Sequence, residues 1–245
     1  MKDQIGAIIL AAGRGKRMKS KAVNKVVLCL ADKPMILHTV DLLFELKIKK
    51  IIVVVGFAKN SVTQILNGKV SFVEQKKRLG TAHAVSCAVL KIPREIKNVL
   101  VLNGDDSAFY SEQVIKKLIK KHITTNSSFT FLTIKKKDPF GLGRVIRDNS
   151  GKVQAVIEEK DATGKQRGIK EVNPGCYVFN VGFLKKYLPK VKKSSVTHEY
   201  YLTSLIDIGI KNNEKIDTLA VGEVVWQGIN TKEELEKAQN LISKI

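Results

Sequence analysis

Short, nearly unbroken apolar runs alternate with amphipathic stretches through the first half of the chain. Residues 5–10, 50–56, 70–74 and 98–103 have the length and composition of buried strands. Between them, residues 33–46 place Ile36, Val40 and Leu43 on one helical face, with Pro34 near the start. Residues 60–66 read as a short helix, and residues 80–90 as a helix opening on GTAHA. Strands that are apolar on both faces, each followed by a helix, predict an α/β fold with a mostly parallel sheet covered on both sides.

Beyond about residue 126 the rhythm changes. Residues 128–134, 144–147, 153–159 and 176–181 are shorter alternating stretches joined by Gly and Asp turns, which predicts added strands and hairpins. A helix is expected over residues 199–210. Another is expected over residues 231–242, with Thr231 as N-cap and Glu234 three positions on. The expected organisation is a single domain, with one part to about residue 125, a second over about 126–230 and a closing helix over 231–244.

Composition narrows the function classes. A chain of 245 residues that is 44% hydrophobic can bury one substantial core. The longest apolar runs fall far short of the roughly 20 residues a membrane-spanning helix needs, and the first is followed at once by cations, unlike a signal peptide. Cys29, Cys87 and Cys176 lie far apart with no metal-ligand spacing, which suggests buried thiols in a reducing cytoplasm. A formal net charge of +20 admits nucleic acid, anionic surfaces or anionic small substrates as partners. The lysines are dispersed over helical faces, such as Lys116, Lys117, Lys120 and Lys121, with few aromatics among them. Nucleic acid is therefore disfavoured. The four histidines have no paired spacing for a metal, and His83 is expected to support its loop.

In open α/β sheets, ligands gather at the carboxyl ends of the strands. Three loops lie there. The first, residues 12–18, follows the strand that ends at Leu10; Ala11, Ala12, Gly13 and Gly15 are small residues that admit close backbone approach, with Arg14, Lys16 and Arg17 beside them. It suits a polyphosphate, or it is an ordinary strand-to-helix turn. The second is residues 75–81. The third, residues 104–107, begins Gly-Asp-Asp. There Asp105 is placed to hold a divalent cation against phosphate oxygens, magnesium being the natural candidate, although GDD is also a common turn.

The motifs LAAGRGKRM, QKKRLGTAHA, NGDD, GLGRVIRD, VIEEKDA, EVNPG, HEYYLT and QGIN follow one another in this order across nearly the whole chain, with Lys25 after the first. Together they resemble the sugar-nucleotide pyrophosphorylase superfamily, most closely the uridylyltransferase domain of bifunctional N-acetylglucosamine-1-phosphate uridylyltransferase/acetyltransferases. The resemblance implies a Rossmann-like, three-layer nucleotidyltransferase fold. It also implies magnesium-dependent attack of a sugar 1-phosphate, N-acetylglucosamine 1-phosphate above all, on the α-phosphate of UTP, with release of pyrophosphate. Residues 10–15 and Arg17 would then meet the nucleotide phosphates, and Lys25 would neutralise charge at the α-phosphate. Gln75, Gly80 and Thr81 would read the uracil edge. Asp105 and Asn230 would hold the magnesium, while Gly143, Glu158, Asn173, Tyr201 and Thr203 would shape the sugar-phosphate side.

Lys16, Asn24, Arg78, Asp106, Ser107, Pro174 and Ser204 depart from that family's pattern and leave the sugar and base open. Glucose 1-phosphate with dTTP is the nearest alternative. A non-catalytic nucleotide-binding or nucleic-acid-associated protein is the alternative of another class. No hexapeptide repeat of a left-handed β-helix is found in the sequence, so acetyl transfer is not expected of it. Oligomeric state is left open.

Overall fold

The apolar run at the start of the chain is a strand whose alternate residues feed two different cores. In the computed structural model, which describes residues 4–18 and 22–242, β1 (Ile5–Ala11) is followed by a small hairpin of β2 (Cys29–Leu30) and β3 (Lys33–Pro34). Then come α1 (Met35–Glu45), β4 (Ile51–Val55), α2 (Lys59–Ile65), β5 (Ser71–Glu74), α3 (Thr81–Val89) and β6 (Asn98–Asn103). The second half contributes α4 (Glu112–Thr124), β7 (Phe129–Lys135), β8 (Gly143–Arg147), β9 (Val153–Ile157), a single-turn α5 (Gly164–Arg167), β10 (Glu171–Asn173) and β11 (Tyr177–Asn180). It closes with α6 (Val181–Tyr187), α7 (Ser204–Lys211), β12 (Ile216–Glu223) and α8 (Lys232–Ile242).

One sheet of ten strands forms among the described residues, in the order β5-β4-β1-β6-β11-β7-β10-β8-β9, with β12 on the other side of β7. β5, β4, β1 and β6 are mutually parallel, and β12 is parallel to β7. β11 inserts antiparallel between β6 and β7. β10, β8 and β9 continue the same sheet by antiparallel pairing. The mostly parallel α/β sheet expected from the sequence is therefore present.

The two-sided burial explains the unbroken apolar strands. Ile8 of β1, Ile52 and Val54 of β4, and Val99 and Val101 of β6 pack into one core with α3, α6 and α7. Their neighbours Ile9, Val53 and Leu100 face a second core with α1, α2 and α4. A third, smaller cluster seats α8 through Ala238 against Leu30, Met35 and Ile229. That contact brings the last helix, and the residues just before it, back to the start of the chain.

Several expected elements shift. The helix expected over residues 199–210 begins only at Ser204. Before it, Tyr200 is held in extended pairing, donating to the Leu79 carbonyl at 2.7 Å and accepting from the Ala82 N–H at 2.9 Å. The first helix starts at Met35, because residues 33 and 34 belong to the β2–β3 hairpin. The strand β12 was not anticipated, since its half-buried residues carry no clean alternation. Helix α4 carries the lysines assigned to a helical face and is capped by the Ser111 hydroxyl. Only Cys176 of the three thiols is buried; Cys29 is exposed and Cys87 half-buried, so the cysteines are not uniformly core residues. Among the described residues, no helix is long and apolar enough to cross a membrane.

Candidate active site

At the carboxyl ends of β1 and β6 the chain opens into a cleft of about 790 Å³. The loop after β1 forms its floor. Gly15 takes a left-handed φ of +58°, and a Cβ there would lie 3.0 Å from the Lys25 Cβ, so glycine lets this loop turn directly over Lys25. At Gly13 an added Cβ would meet nothing within 4 Å, which leaves the loop backbone open to the cleft. Arg14 and Arg17 are exposed at its edge, and Arg14 lies over the Phe57 ring at 5.5 Å. The Lys16 side chain lies outside the described residues.

Asn24 holds this loop in place. It is 1% exposed. Its Nδ2 donates to the carbonyls of Ala11 at 2.9 Å, Phe57 at 2.8 Å and, more weakly, Gly13 at 3.2 Å. Its Oδ1 accepts from Val26 N–H at 3.1 Å and caps the 3₁₀ turn Lys25–Val27. One carboxamide thus ties the glycine loop to the turn that presents Lys25.

The Lys25 ammonium is the point on which distant segments converge. It pairs with the Asp105 carboxylate and donates to Asn230 Oδ1 at 2.9 Å and to the Ile229 carbonyl at 2.7 Å. Asp105 is delivered by the turn after β6, where Gly104 N–H binds the Leu10 carbonyl at 3.1 Å. Asn230 is delivered by the start of α8. There the expected box is complete: Glu234 N–H donates to Thr231 Oγ1 at 3.1 Å, and Glu234 Oε2 accepts from Thr231 N–H at 3.1 Å and Asn230 N–H at 2.5 Å.

On one side of this centre lies the loop after β5. Gly80 has a φ of +105°, and a Cβ there would come within 2.5 Å of the Tyr200 carbonyl oxygen, so no side chain fits. Thr81 Oγ1 accepts from Leu202 N–H at 2.9 Å, which leaves its own hydroxyl hydrogen free to donate. Gln75, 3% exposed, donates from Nε2 to the Gly80 carbonyl at 3.0 Å and to His83 Nδ1 at 2.9 Å.

On the other side, Glu158 Oε1 accepts from Thr203 Oγ1 at 2.8 Å, and burial pushes its carboxyl above the usual carboxylate range. Asn173 is held from both ends, by Tyr177 OH at 2.7 Å and by Gly175 N–H at 3.0 Å, leaving one of its two amide hydrogens unused. Tyr201 OH meets Thr197 Oγ1 at 2.6 Å. Arg144, 2% exposed, pairs with Glu159 at 2.6 Å, and Glu159 Oε2 also accepts from Gly141 N–H at 3.0 Å, which pins the backbone approaching Gly143.

The structure brings the sequence-derived candidates together in this one cleft, with Thr203 just behind its wall supporting Glu158. Among the residues that line or support it but were not candidates are Asn24, Asn103, Asp106 and His83. Asn24 read only as a departure, although an Asn preceding a short helical turn is a cap signal. Asn103 and Asp106 form a pair at 3.2 Å, with Asp106 Oδ1 lacking any partner. Burial, and then the neighbouring Asp105 charge, push the Asp106 carboxyl well above the ordinary range. His83 was expected to support its loop, but its bond to Gln75 could not be read from spacing alone.

A small-residue loop flanked by cations, a carboxylate and an amide oxygen meeting at one cationic centre, and flanking walls rich in donors and acceptors form the cleft of an α/β enzyme. The family model for nucleotidyl transferase matches residues 6–244, and the chain belongs to that family. It is 38% identical over 231 residues to the bifunctional protein GlmU of Carboxydothermus hydrogenoformans, covering 94% of this chain and 51% of that protein. It is 41% identical to the bifunctional protein GlmU of Caldicellulosiruptor saccharolyticus, covering 95% of this chain and 50% of that one. The chain thus spans about half the length of these relatives. A solved structure assigned as a glucose-1-phosphate thymidylyltransferase from Bacillus anthracis shares the fold, with a TM-score of 0.83 at 21% identity over 98% of this chain and 96% of that one.

Proposed function

We propose that this chain transfers the uridylyl group of UTP to N-acetylglucosamine 1-phosphate, giving UDP-N-acetylglucosamine and pyrophosphate. The observation that carries the reading is the meeting of Lys25, Asp105 and Asn230, from three remote parts of the chain, at one point between the base-side and sugar-side walls. Similarity to GlmU proteins over nearly the whole chain favours this base and this sugar.

The sugar-phosphate oxygen forms a new bond to the α-phosphorus as the bond from that phosphorus to the bridging oxygen of the β-phosphate breaks, and pyrophosphate leaves with that electron pair. No covalent enzyme intermediate is needed. The loop over residues 10–15 and Arg17 hold the triphosphate, and Lys25 neutralises charge gathering on the α-phosphate oxygens. Gln75, Gly80 and Thr81 meet the base; Gly143, Glu158, Asn173 and Tyr201 meet the sugar phosphate, with Thr203 bracing Glu158. The Asp105 carboxylate and Asn230 carboxamide oxygen already share one cation, the Lys25 ammonium, which is the hard-oxygen chemistry a magnesium ion requires. Those two residues would hold the ion, which supplies further charge neutralisation when bound.

A panel pairing UTP, dTTP and CTP with N-acetylglucosamine 1-phosphate and glucose 1-phosphate, read by pyrophosphate release in magnesium, tests this. The reading predicts the highest kcat/KM for UTP with the acetamido sugar. Turnover confined to dTTP with glucose 1-phosphate would replace it, and no turnover with any pair would refute it.

A further inference from the structure

His83 lies outside the groups assigned to either substrate, yet it makes a hydrogen bond that constrains one of them. Gln75 Nε2 has two hydrogens. One goes to the Gly80 carbonyl at 3.0 Å, and a carbonyl can only accept, so the nitrogen end of the Gln75 carboxamide must face that side. The other is directed to His83 Nδ1 at 2.9 Å, which must then accept, placing the neutral ring's proton on Nε2. With both amide hydrogens committed, only Gln75 Oε1 is left to meet a ligand in the cleft that Gln75 lines.

Gln75 itself is well anchored. It follows β5, its backbone N–H donates to the Val55 carbonyl at 2.8 Å, and its side chain is almost fully buried. The carboxamide could still turn over, exchanging oxygen for nitrogen, and Gly80 alone opposes that with one bond already shared with the Ala84 N–H. His83 adds a second penalty. With the ring proton on Nε2, a turned amide would set two acceptors, Oε1 and the Nδ1 lone pair, against each other, and relief would require the ring to move its proton to Nδ1 as well.

We infer that His83 is a positioning residue for base selection: its Nδ1 locks the Gln75 carboxamide with Oε1 toward the cleft, so that the site accepts a base edge bearing a ring N–H and rejects one bearing a lone pair there. Uracil and thymine carry that N–H at N3, and cytosine carries the lone pair. The inference rests on the nucleotidyl-transfer reading above, but its lock is a property of the chain alone.

The test compares wild type, His83→Leu, which removes the acceptor, and His83→Asn, whose carboxamide oxygen can take the place of Nδ1. With UTP and CTP as donors, the Leu variant should raise KM for UTP by about tenfold and lower the UTP-over-CTP preference by a similar factor. Its kcat at saturating UTP should stay within about threefold, and the Asn variant should recover most of the preference. Wild-type turnover accompanied by an unchanged UTP KM and preference in the Leu variant would overturn the inference, as would equal defects in both variants. If the wild type transfers no nucleotide, the functional reading fails instead. Nitrogen-proton correlation spectra of the imidazole at about pH 8 then still decide the lock, because a proton on Nε2 with Nδ1 bare is required. A proton on Nδ1 would overturn it.

Discussion

Asn24 departs from the family's pattern, yet it ties the glycine loop together. Its carboxamide nitrogen faces three carbonyls while its oxygen accepts from the Val26 N–H, so a single side chain joins the loop after β1 to the turn that presents Lys25. His122 shows the opposite economy, a titratable group kept neutral for structure. It is 1% exposed and bridges Thr130 Oγ1 at 2.9 Å and Asn98 Oδ1 at 3.1 Å, and burial holds its pKa down from 6.5 to about 4. The unfolded chain therefore binds a proton between those values that the folded chain does not. Stability from this residue is complete above pH 6.5 and lost as pH falls toward about 4, by about 3 kcal/mol. Urea unfolding of wild type and His122→Gln should show this as a shallower acid limb in the variant; parallel limbs would contradict it.

At the scale of elements, β1, β4 and β6 were legible because both of their faces are buried, so that their residues are apolar nearly without interruption, whereas β5, expected to be buried, lies at the sheet edge and is exposed or half-buried. The second half was legible only in part. β12 is half-buried along its length and lacks that signature. Residues 199–203 look helical in isolation, but backbone pairing of Tyr200 with Leu79 and Ala82 keeps Tyr200 out of the helix, a tertiary contact no local pattern encodes, and residues 202 and 203 only turn the chain into α7. The box opening α8 was fully readable, and it does more than start a helix. Glu234 binds the N–H of Asn230 as well as that of Thr231, so the cap orients a residue of the site. Glu234→Ala should therefore raise the magnesium concentration needed for half-maximal turnover by about tenfold while leaving KM for UTP nearly unchanged. A change in thermal stability with no change in metal dependence would show the cap to be structural only.

Across the whole molecule, topology does most of the assembly. β1 and β6 are adjacent and parallel, so the loops that follow them meet at one end of the sheet. α8 packs on Met35 and Leu30, which returns residues 229 and 230 to the same end from the far terminus of the chain. The candidate positions could be found in the sequence because motif order survives. The bonds among them could not: those from Lys25 to Ile229 and Asn230 join remote segments with no fixed spacing, and the one between His83 and Gln75 depends on how their loop folds back on itself. Much of the charge of +20 lies away from the cleft, as on α4 and α6, and among the described residues the cations lining the cleft are Arg14, Arg17, Lys25, Arg78 and Lys160.

The central claim is that the bond broken lies between the α- and β-phosphates of the nucleotide. Incubating the protein and magnesium with N-acetylglucosamine 1-phosphate and UTP labelled with ³²P at either the α- or the γ-position tests it most directly. The account predicts α-label in the nucleotide sugar and γ-label only in pyrophosphate, with both transfers lost in Asp105→Asn. Recovery of γ-label on the sugar, or undiminished transfer in that variant, would contradict it.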